Sequence, residues 1–182
     1  YTFDGYNNEY LRRTIGIAAA NRVYRDRVPS AFWTIRYFRD SQNEEYMIVL
    51  QTDGSLHSLH HTLDERAPGA NLSKEEALAR GEAYMRDQKK ADLSGWNLVE
   101  SKTEKRPART DHSFEWEQKT ALDAASGQEG ARVRMQLRVQ GDEVSGYRIL
   151  IKIPETWRDA ESRTTVAQLA QTFGRAIGIA VV

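Results

Sequence analysis

The feature that most constrains the fold is the two-residue alternation in ARVRMQLRV, residues 131–139. Val133, Met135, Leu137 and Val139 are apolar, and the residues between them are arginine or glutamine. Successive side chains of a β-strand point to opposite faces, so this spacing places one face on a core and the other toward water. Strands with one solvated face are typical of antiparallel sheets, because buried parallel strands are apolar on both faces. We therefore expect a chain built on antiparallel sheet.

Other segments carry strand signals as well, and Asp53-Gly54 predicts a hairpin between two of them. The predicted strands are 31–38, 45–52, 55–63, 96–106, 113–119, 131–139 and 144–153. Helical spacing and capping residues predict helices at 7–15, 17–26 and 73–88, and a last one from about Asp159. Strands grouped between helices, rather than alternating with them, predict an α+β fold of antiparallel sheets with packed helices.

Two hairpin segments resemble each other within the chain. MIVLQTDGSLHSL (47–59) lies over MQLRVQGDEVSGY (135–147) at an offset of 88 residues, from 47 to 135. Each has a strand, a tight turn with Asp and Gly, and a return strand. This predicts a duplicated helix-plus-hairpin unit in a soluble domain of residues 1–158, with halves 1–72 and 73–158. Two hairpins of a common type are the alternative.

Charge and cysteine content exclude several classes of function. The 182 residues include 26 basic and 26 acidic ones, so no net field favours nucleic acid or anionic lipid. Cysteine is absent, which excludes disulfides, thiolate nucleophiles and cysteine-ligated zinc. The sequence contains no HExxH, GxSxG or phosphate-loop motif. We therefore expect no catalytic, cofactor-binding or metal-binding residue in this chain, and no nucleic-acid partner.

One string does match a catalytic motif. Glu75, Glu76 and Arg80 form an E-E-x-x-x-R pattern, which is typical of a class of membrane-embedded metalloproteases. In such enzymes the glutamates need a dry cavity and a metal-bound water. Here Ser73 and Glu76 have the spacing of a capping box, and Glu76 and Arg80 that of an i, i+4 ion pair. We interpret the string as the solvent-exposed start of a surface helix.

Four residues define a competing hypothesis, in which the chain is a self-sufficient soluble metalloenzyme. They are His57, His61, Glu65 and His112. Histidines four residues apart on a strand are roughly 13 Å apart along the chain, too far to chelate one ion. We expect the histidines of residues 57–61 to be solvated side chains at a sheet edge.

Aromatic residues fall mostly at alternating strand positions, which predicts core packing. A minority on an open sheet face would be able to bind an extended peptide or a lipid chain. The residues concerned are Trp33, Tyr37, Trp96, Phe114, Trp116, Tyr147 and Trp157.

Five stretches carry a resemblance to a known protein region. They are EYLRRTIGIAAANRVYRD, FWTIRYFRDSQNEEYMIVLQTDGSLHSLHH, ERAPGANLSKEEALARGEAYM, LVESKTEKRPARTDHSFEWE and VQGDEVSGYRILIKIPETW. Together they resemble the soluble, extracytoplasmic N-terminal region of large bacterial CPBP-type (CAAX-protease-like) intramembrane metalloproteases. The most specific strings are PxRTDHSFEWE and QGDEVSGY followed by KxPExW. The repeated helix-plus-hairpin is also similar to a PepSY-type unit, a module linked to protease regulation.

The resemblance implies a non-catalytic binding or regulatory domain outside the cytoplasm, in a parent that is a bacterial membrane metalloendopeptidase. Its implied partners are a polypeptide substrate or the parent's own membrane domain. A divalent metal such as zinc is implied for the parent and not for this chain. The E-E-x-x-x-R string does not align with the family's active-site motif. A stand-alone soluble carrier or scaffold for a peptide or lipid is the alternative function.

The last residues predict attachment to a membrane. From Thr165 to Arg175 apolar residues recur at helical spacing, and no charged residue follows Arg175. The closing AIGIAVV is apolar but much shorter than the ~20 residues needed to cross a bilayer. We therefore expect residues 159–182 to form a helical stalk that leads into a membrane helix, of which the sequence contains only the beginning.

Overall fold

The computed structural model of this chain describes residues 5–28, 31–123 and 130–163. It begins with helices α1 (Gly5–Ile15) and α2 (Ile17–Asp26). Gly16 separates them with a φ of 80°, a left-handed value that glycine adopts without strain. Gly16 therefore ends α1, as the sequence predicts.

Seven strands form one antiparallel sheet. They are β1 (Phe32–Phe38), β2 (Glu45–Gln51), β3 (Leu56–Thr62), β4 (Trp96–Lys105), β5 (Thr110–Gln118), β6 (Arg132–Gln140) and β7 (Glu143–Lys152). Their spatial order is β1-β2-β3-β7-β6-β5-β4. The prediction of an α+β fold built on antiparallel sheet with packed helices is confirmed. The pairing of β3 with β7 joins the strands before and after the central helix.

Helix α3 (Lys74–Asp87) lies on β5, β6 and β7. Its predicted capping box is confirmed: the Glu76 amide donates to Ser73 Oγ at 3.2 Å, and the Ser73 amide donates to Glu76 Oε2 at 2.8 Å. The predicted Glu76–Arg80 ion pair does not form. The cap engages the Glu76 carboxylate, and Arg80 instead donates to the carbonyl of Asp142 at 2.7 Å. A 3-10 turn (Leu93–Gly95) connects α3 to β4.

The core has two parts on the helix-bearing side of the sheet. One lies under α3 and consists of Ala77, Met85, Phe114, Trp116, Met135, Leu137, Val139 and Tyr147. The other lies under α1 and α2 and consists of Tyr10, Leu11, Ala20, Val28, Ala131, Val133, Ile151 and Ile153. The alternating residues of β6 thus supply both parts, in the way that their spacing predicts.

The β3–β7 pairing has a symmetric register. Leu59 lies opposite Tyr147, and these residues are 88 positions apart, as are the two hairpin segments that resemble each other. The β2–β3 and β6–β7 hairpins each contain one register shift, at Val49/Leu50 and at Arg138/Val139. A duplicated unit with a local two-fold axis between Leu59 and Tyr147 would have these features. Strand β4 has no counterpart before β1 in the described chain, so the duplication stays a prediction.

Residues 155–163 form a fourth helix, α4, which begins slightly before the predicted start at Asp159. Most of the predicted stalk and membrane helix falls on residues 164–182, which lie outside the described residues. None of the helices within 5–28, 31–123 and 130–163 is long and apolar enough to span a bilayer.

Candidate docking face

One row of side chains crosses the whole sheet on its helix-bearing side. From β1 to β4 the strand pairings place in it Ile35, Ile48, Leu59, Tyr147, Leu137, Phe114 and Ser101. Phe114 and Leu137 are each 2 % exposed. Ile35 and Ile48, at the other end of the row, are only half-buried. The same apolar row is therefore fully covered in one half of the sheet and only partly covered in the other.

The two neighbouring rows of side chains, one on each side of this central row, are also buried over β5 and β6 and more exposed over β1 and β2. We define the docking face as the apolar residues of β1 and β2 on this side, namely Trp33, Ile35, Tyr37, Tyr46, Ile48 and Leu50. Their counterparts around the β3–β7 axis are, in the same order, His112, Phe114, Trp116, Met135, Leu137 and Val139. Trp33 is 69 % exposed and Tyr37 59 %, whereas every counterpart is buried. The docking face has the composition of a core face without the burial of one.

Helix α3 shows how a helix covers such a face. Ala77, Gly81 and Met85 follow one another at steps of four residues, so they form one stripe along the helix, and all three are buried. A side-chain Cβ at Gly81 would lie 3.1 Å from Leu137 Cδ2. The absence of a side chain at Gly81 therefore lets α3 approach closely above Leu137, the counterpart of Ile48.

Over β1 and β2 no described helix packs to the extent that α3 packs on β5, β6 and β7. A cleft of about 530 Å³ lies between the ends of α2 and α3 and reaches Leu56, the strand partner of Leu50 in the docking face. Lys89 crosses it, with Nζ donating to the carbonyl of Leu56 at 2.5 Å and lying 4.5 Å from the centroid of the Tyr147 ring. Burial lowers the pKa of Lys89. The cleft leaves room beside α3 for another segment of polypeptide.

His61 links the two halves of the sheet at one end of this face. Its Nδ1 lies 2.7 Å from Glu143 Oε1, and its Nε2 lies 3.0 Å from Glu44 Oε1. The ring is stacked on Tyr46 with centroids 3.8 Å apart. The ring therefore lies between two carboxylates, Glu44 just before β2 and Glu143 at the start of β7. Burial, followed by the charges of Glu143 and Glu44, raises the pKa of Tyr46.

The expectation of solvated histidines at a sheet edge is wrong for His57 and His61, which are buried. The reason is that β3 pairs on both sides, with β2 and with β7, and so lies inside the sheet. His57 is stacked on Phe32 with centroids 5.5 Å apart. Burial, and next the charge of Lys89, lowers the pKa of His57.

The residues of the metalloenzyme hypothesis are not brought together. His112 Nε2 lies 3.0 Å from the carbonyl of Leu72, and Glu65 is paired with Arg106 at 3.1 Å. In residues 5–28, 31–123 and 130–163 no three His, Asp or Glu side chains are grouped to hold a metal ion. Glu75, Glu76 and Arg80 are exposed on α3, as the capping interpretation predicts.

The opposite face of the sheet carries a ladder of charges and amides. Arg134 Nε donates to Glu117 Oε2 at 2.7 Å, and Arg148 donates to Gln136 Oε1 at 2.7 Å. Glu115 accepts from both Arg134 and Gln136. A cavity of about 480 Å³ lies on this face. The charged groups of this ladder are paired with one another, whereas the docking face is apolar.

Sequence reasoning missed the partners of His61 and the role of Gly81. Glu143 is 82 positions from His61, and no local spacing indicates their contact. Part of the PxRTDHSFEWE string proves to be structural. Arg109 is buried, with Nε donating to Asp111 Oδ1 at 2.8 Å and Nη1 to the carbonyl of Asp64 at 2.8 Å.

A scan against protein-family models gave no match, and searches of curated proteins and of solved structures gave none either.

Proposed function

We propose that this chain is a non-catalytic, polypeptide-binding domain whose docking face receives an amphipathic helix. We further propose, on the resemblance of its sequence, that it is the extracytoplasmic regulatory domain of a bacterial membrane metalloendopeptidase of the CAAX-protease-like type. The helix would then belong to the polypeptide substrate or to the parent's own membrane domain.

The observation that carries the helix-docking proposal is the correspondence between the two half-faces. Ile48 and Leu137 occupy equivalent places in the central row, but Leu137 is covered by α3 and Ile48 by no described helix. Large exposed apolar patches on soluble domains mark interaction sites. The predicted duplication of a helix-plus-hairpin unit would account for two apolar surfaces that are each suited to a helix.

Helix α3 indicates the chemistry of the partner. It presents small residues, Ala77 and Gly81, at the point of closest approach and a flexible Met85 at the end of the stripe. A partner helix needs a similar stripe of apolar residues at i, i+4 and i+8, with a small residue at its centre. Its other faces would be polar, because they would remain in water.

A copy of α3 is the most direct probe. The probe is a labelled peptide of residues 73–89, stapled on its exposed face because short isolated helices are marginal in water. We expect it to bind the wild-type chain saturably in a fluorescence anisotropy titration. Ile48→Glu should abolish binding, because it places a charge at the centre of the docking face.

Val49→Glu is the matched control, since Val49 is the next residue of β2 and points to the other face. It should leave binding unchanged. Circular dichroism establishes that both variants are folded, and Trp33→Ala replaces Ile48→Glu if the latter is not. Absence of saturable binding by the wild-type chain, or equal loss in both variants, contradicts the docking proposal.

The membrane part of the proposal has its own test. A topology reporter is inserted at the exposed Asp53-Gly54 turn of this chain in its native protein, and the membrane and soluble fractions are separated. We expect a membrane-inserted product with residues 5–163 outside the cytoplasm. A product that is entirely soluble favours the alternative, a stand-alone carrier or scaffold.

A further inference from the structure

The two edge strands of the sheet differ in how they are protected from pairing with other chains. Strand β4 has a bulge between Leu98 and Glu100, and charged residues follow along its length, including Lys102 and Glu104. Bulges and edge charges are the usual means by which proteins prevent edge-to-edge association. Strand β4 is therefore a protected edge.

Strand β1 has neither protection. Its seven residues, FWTIRYF, pair with β2 in continuous register without a bulge. Arg36 is its only charged residue, and Glu45 of β2 neutralises it. Phe38 is 56 % exposed on one face, and Trp33 and Tyr37 are exposed on the other. Such a strand is a template for pairing with another strand.

The β1 sequence is complementary to itself in one antiparallel register. When Ile35 lies opposite Ile35 of a second copy, Trp33 lies opposite Tyr37 and Phe32 opposite Phe38. Aromatic residues then face aromatic residues on both sides of the sheet, which is a favourable cross-strand pairing. Each Arg36 lies opposite a threonine, Thr34, and not opposite the other Arg36.

Neighbouring registers are poorer. Centring the pair on Arg36 places two like charges directly opposite, which is destabilising. Centring it on Thr34 places Phe32 opposite Arg36 and Trp33 opposite Ile35, and leaves Phe38 without an opposite residue in the strand. Only the register centred on Ile35 matches aromatic with aromatic throughout.

We propose that two copies of this chain associate by antiparallel pairing of β1 with β1, on a two-fold axis at Ile35, so that one sheet continues through both copies. An isologous interface requires a surface that is complementary to itself, and the FWTIRYF pattern meets that requirement. The pairing uses the outer backbone edge of β1, whereas the docking face is the surface of β1 and β2. The two interactions share the side chains of Trp33, Ile35 and Tyr37, but formation of the dimer does not require a docked helix.

A single-cysteine variant tests the register, because the chain has no cysteine of its own. In Ile35→Cys the two thiols of a dimer face each other across the axis, at a Cα separation of about 4.5–5.5 Å that suits a disulfide. We expect mild oxidation to convert Ile35→Cys into a disulfide-linked dimer. Ser101→Cys is the matched control, since Ser101 lies in the same row at the β4 edge and should stay monomeric.

Charge substitutions at Thr34 test the same pairing without a covalent bond. Thr34→Glu places a carboxylate opposite Arg36 of the second copy, and Thr34→Arg places a guanidinium there. Two such cross-strand pairs per dimer should lower the dimer dissociation constant about 2- to 30-fold for Thr34→Glu and raise it by a similar factor for Thr34→Arg. Sedimentation over a concentration series measures both.

Opposite shifts of the two Thr34 variants, with cross-linking at residue 35 alone, support the proposal. A wild-type chain that sediments as a monomer at its highest soluble concentration, with no cross-link at residue 35, overturns it. So does a shift of the same sign in both Thr34 variants. If extended peptides then bind β1, its partner is a foreign strand and not a second copy.

Discussion

At the scale of single residues, His57 connects the packing of β3 to the pH dependence of stability. Burial lowers the pKa of this residue below its ordinary value of 6.5. As the pH falls through 6.5, the unfolded chain binds a proton at this position that the folded chain does not, so the free energy of unfolding falls. We expect the chain to lose stability between about pH 7 and about pH 5, the lower part of the range in which most proteins are most stable.

His57→Phe keeps a ring that is able to stack on Phe32 but removes the titrating group. Urea unfolding at both pH values should therefore give a smaller pH dependence for the variant. An equal loss of stability in the two proteins would mean that His57 does not contribute to it.

Ser73 should contribute to stability as a helix cap. Ser73→Ala removes the acceptor of the Glu76 amide, and we expect it to lower the free energy of unfolding by about 1 kcal/mol. Hydrogen bonds from the Ser73 amide and from the Ser73 hydroxyl to the Glu76 carboxylate lower the pKa of Glu76 below its ordinary 4.5. That contribution is complete above pH 4.5 and is lost as the pH falls through the lowered pKa.

Thermal or urea unfolding of Ser73→Ala at neutral pH checks this prediction. Lys74→Ala is the control, because Lys74 is exposed in the first turn and takes no part in the cap. Helix docking should be unaffected by either change. Equal stability of Ser73→Ala and the wild type would refute the cap's contribution.

Residue contacts were predictable from the sequence where they are local. The cap joins residues three positions apart, and the pattern SKEE is sufficient to indicate it. The contacts of His61 join β3 to Glu143 and Glu44. Glu143 is 82 positions from His61 along the chain, and Glu44 is 17 positions away, before the start of β2. Their formation depends on which strands become neighbours in the sheet, and single-sequence spacing contains no signal for that.

At the scale of elements, the close approach of α3 to the sheet depends on Gly81. Gly81→Leu would place a side chain against Leu137 and force α3 away from the sheet. We expect this overpacking to cost about 1–3 kcal/mol of stability in a urea titration. Ala79→Leu on the exposed side of the same helix should change stability little. Similar effects of the two variants would mean that α3 does not approach the sheet as closely as the structure shows.

Element types and bounds followed closely from the sequence, because alternation, turn residues and caps are local signals. The strand predicted at 131–139 is β6 at Arg132–Gln140. The place of each strand in the sheet was less predictable. The prediction of solvated histidines at a sheet edge fails because β3 pairs with β7, which places β3 in the interior of the sheet.

At the scale of the whole molecule, the two halves of the sheet are related by the pairing of β3 with β7. We predict that a crystal structure will superpose β1–β2–β3 on β5–β6–β7, with Leu59 on Tyr147, 88 positions apart, and Ile48 on Leu137, 89 positions apart because the β2–β3 hairpin is one residue longer than the β6–β7 hairpin. The strand order and the symmetric β3–β7 register are the physical reasons. Different strand twist or register in the two halves would reduce the offset of 88 residues to coincidence.

We propose that the docking face of β1 and β2 receives a helix as β5–β7 receive α3. Methyl-labelled nuclear magnetic resonance spectroscopy tests it most directly, with the stapled peptide of residues 73–89 titrated into the full chain. Ile48 and Leu50 have methyl groups on the docking face, and Val49 lies between them on the opposite face. We predict saturable shifts of the Ile48 and Leu50 methyl signals while the Val49 methyl signals stay in place. Shifts confined to Val49 and the charged face, or no shifts at saturating peptide, would contradict the account.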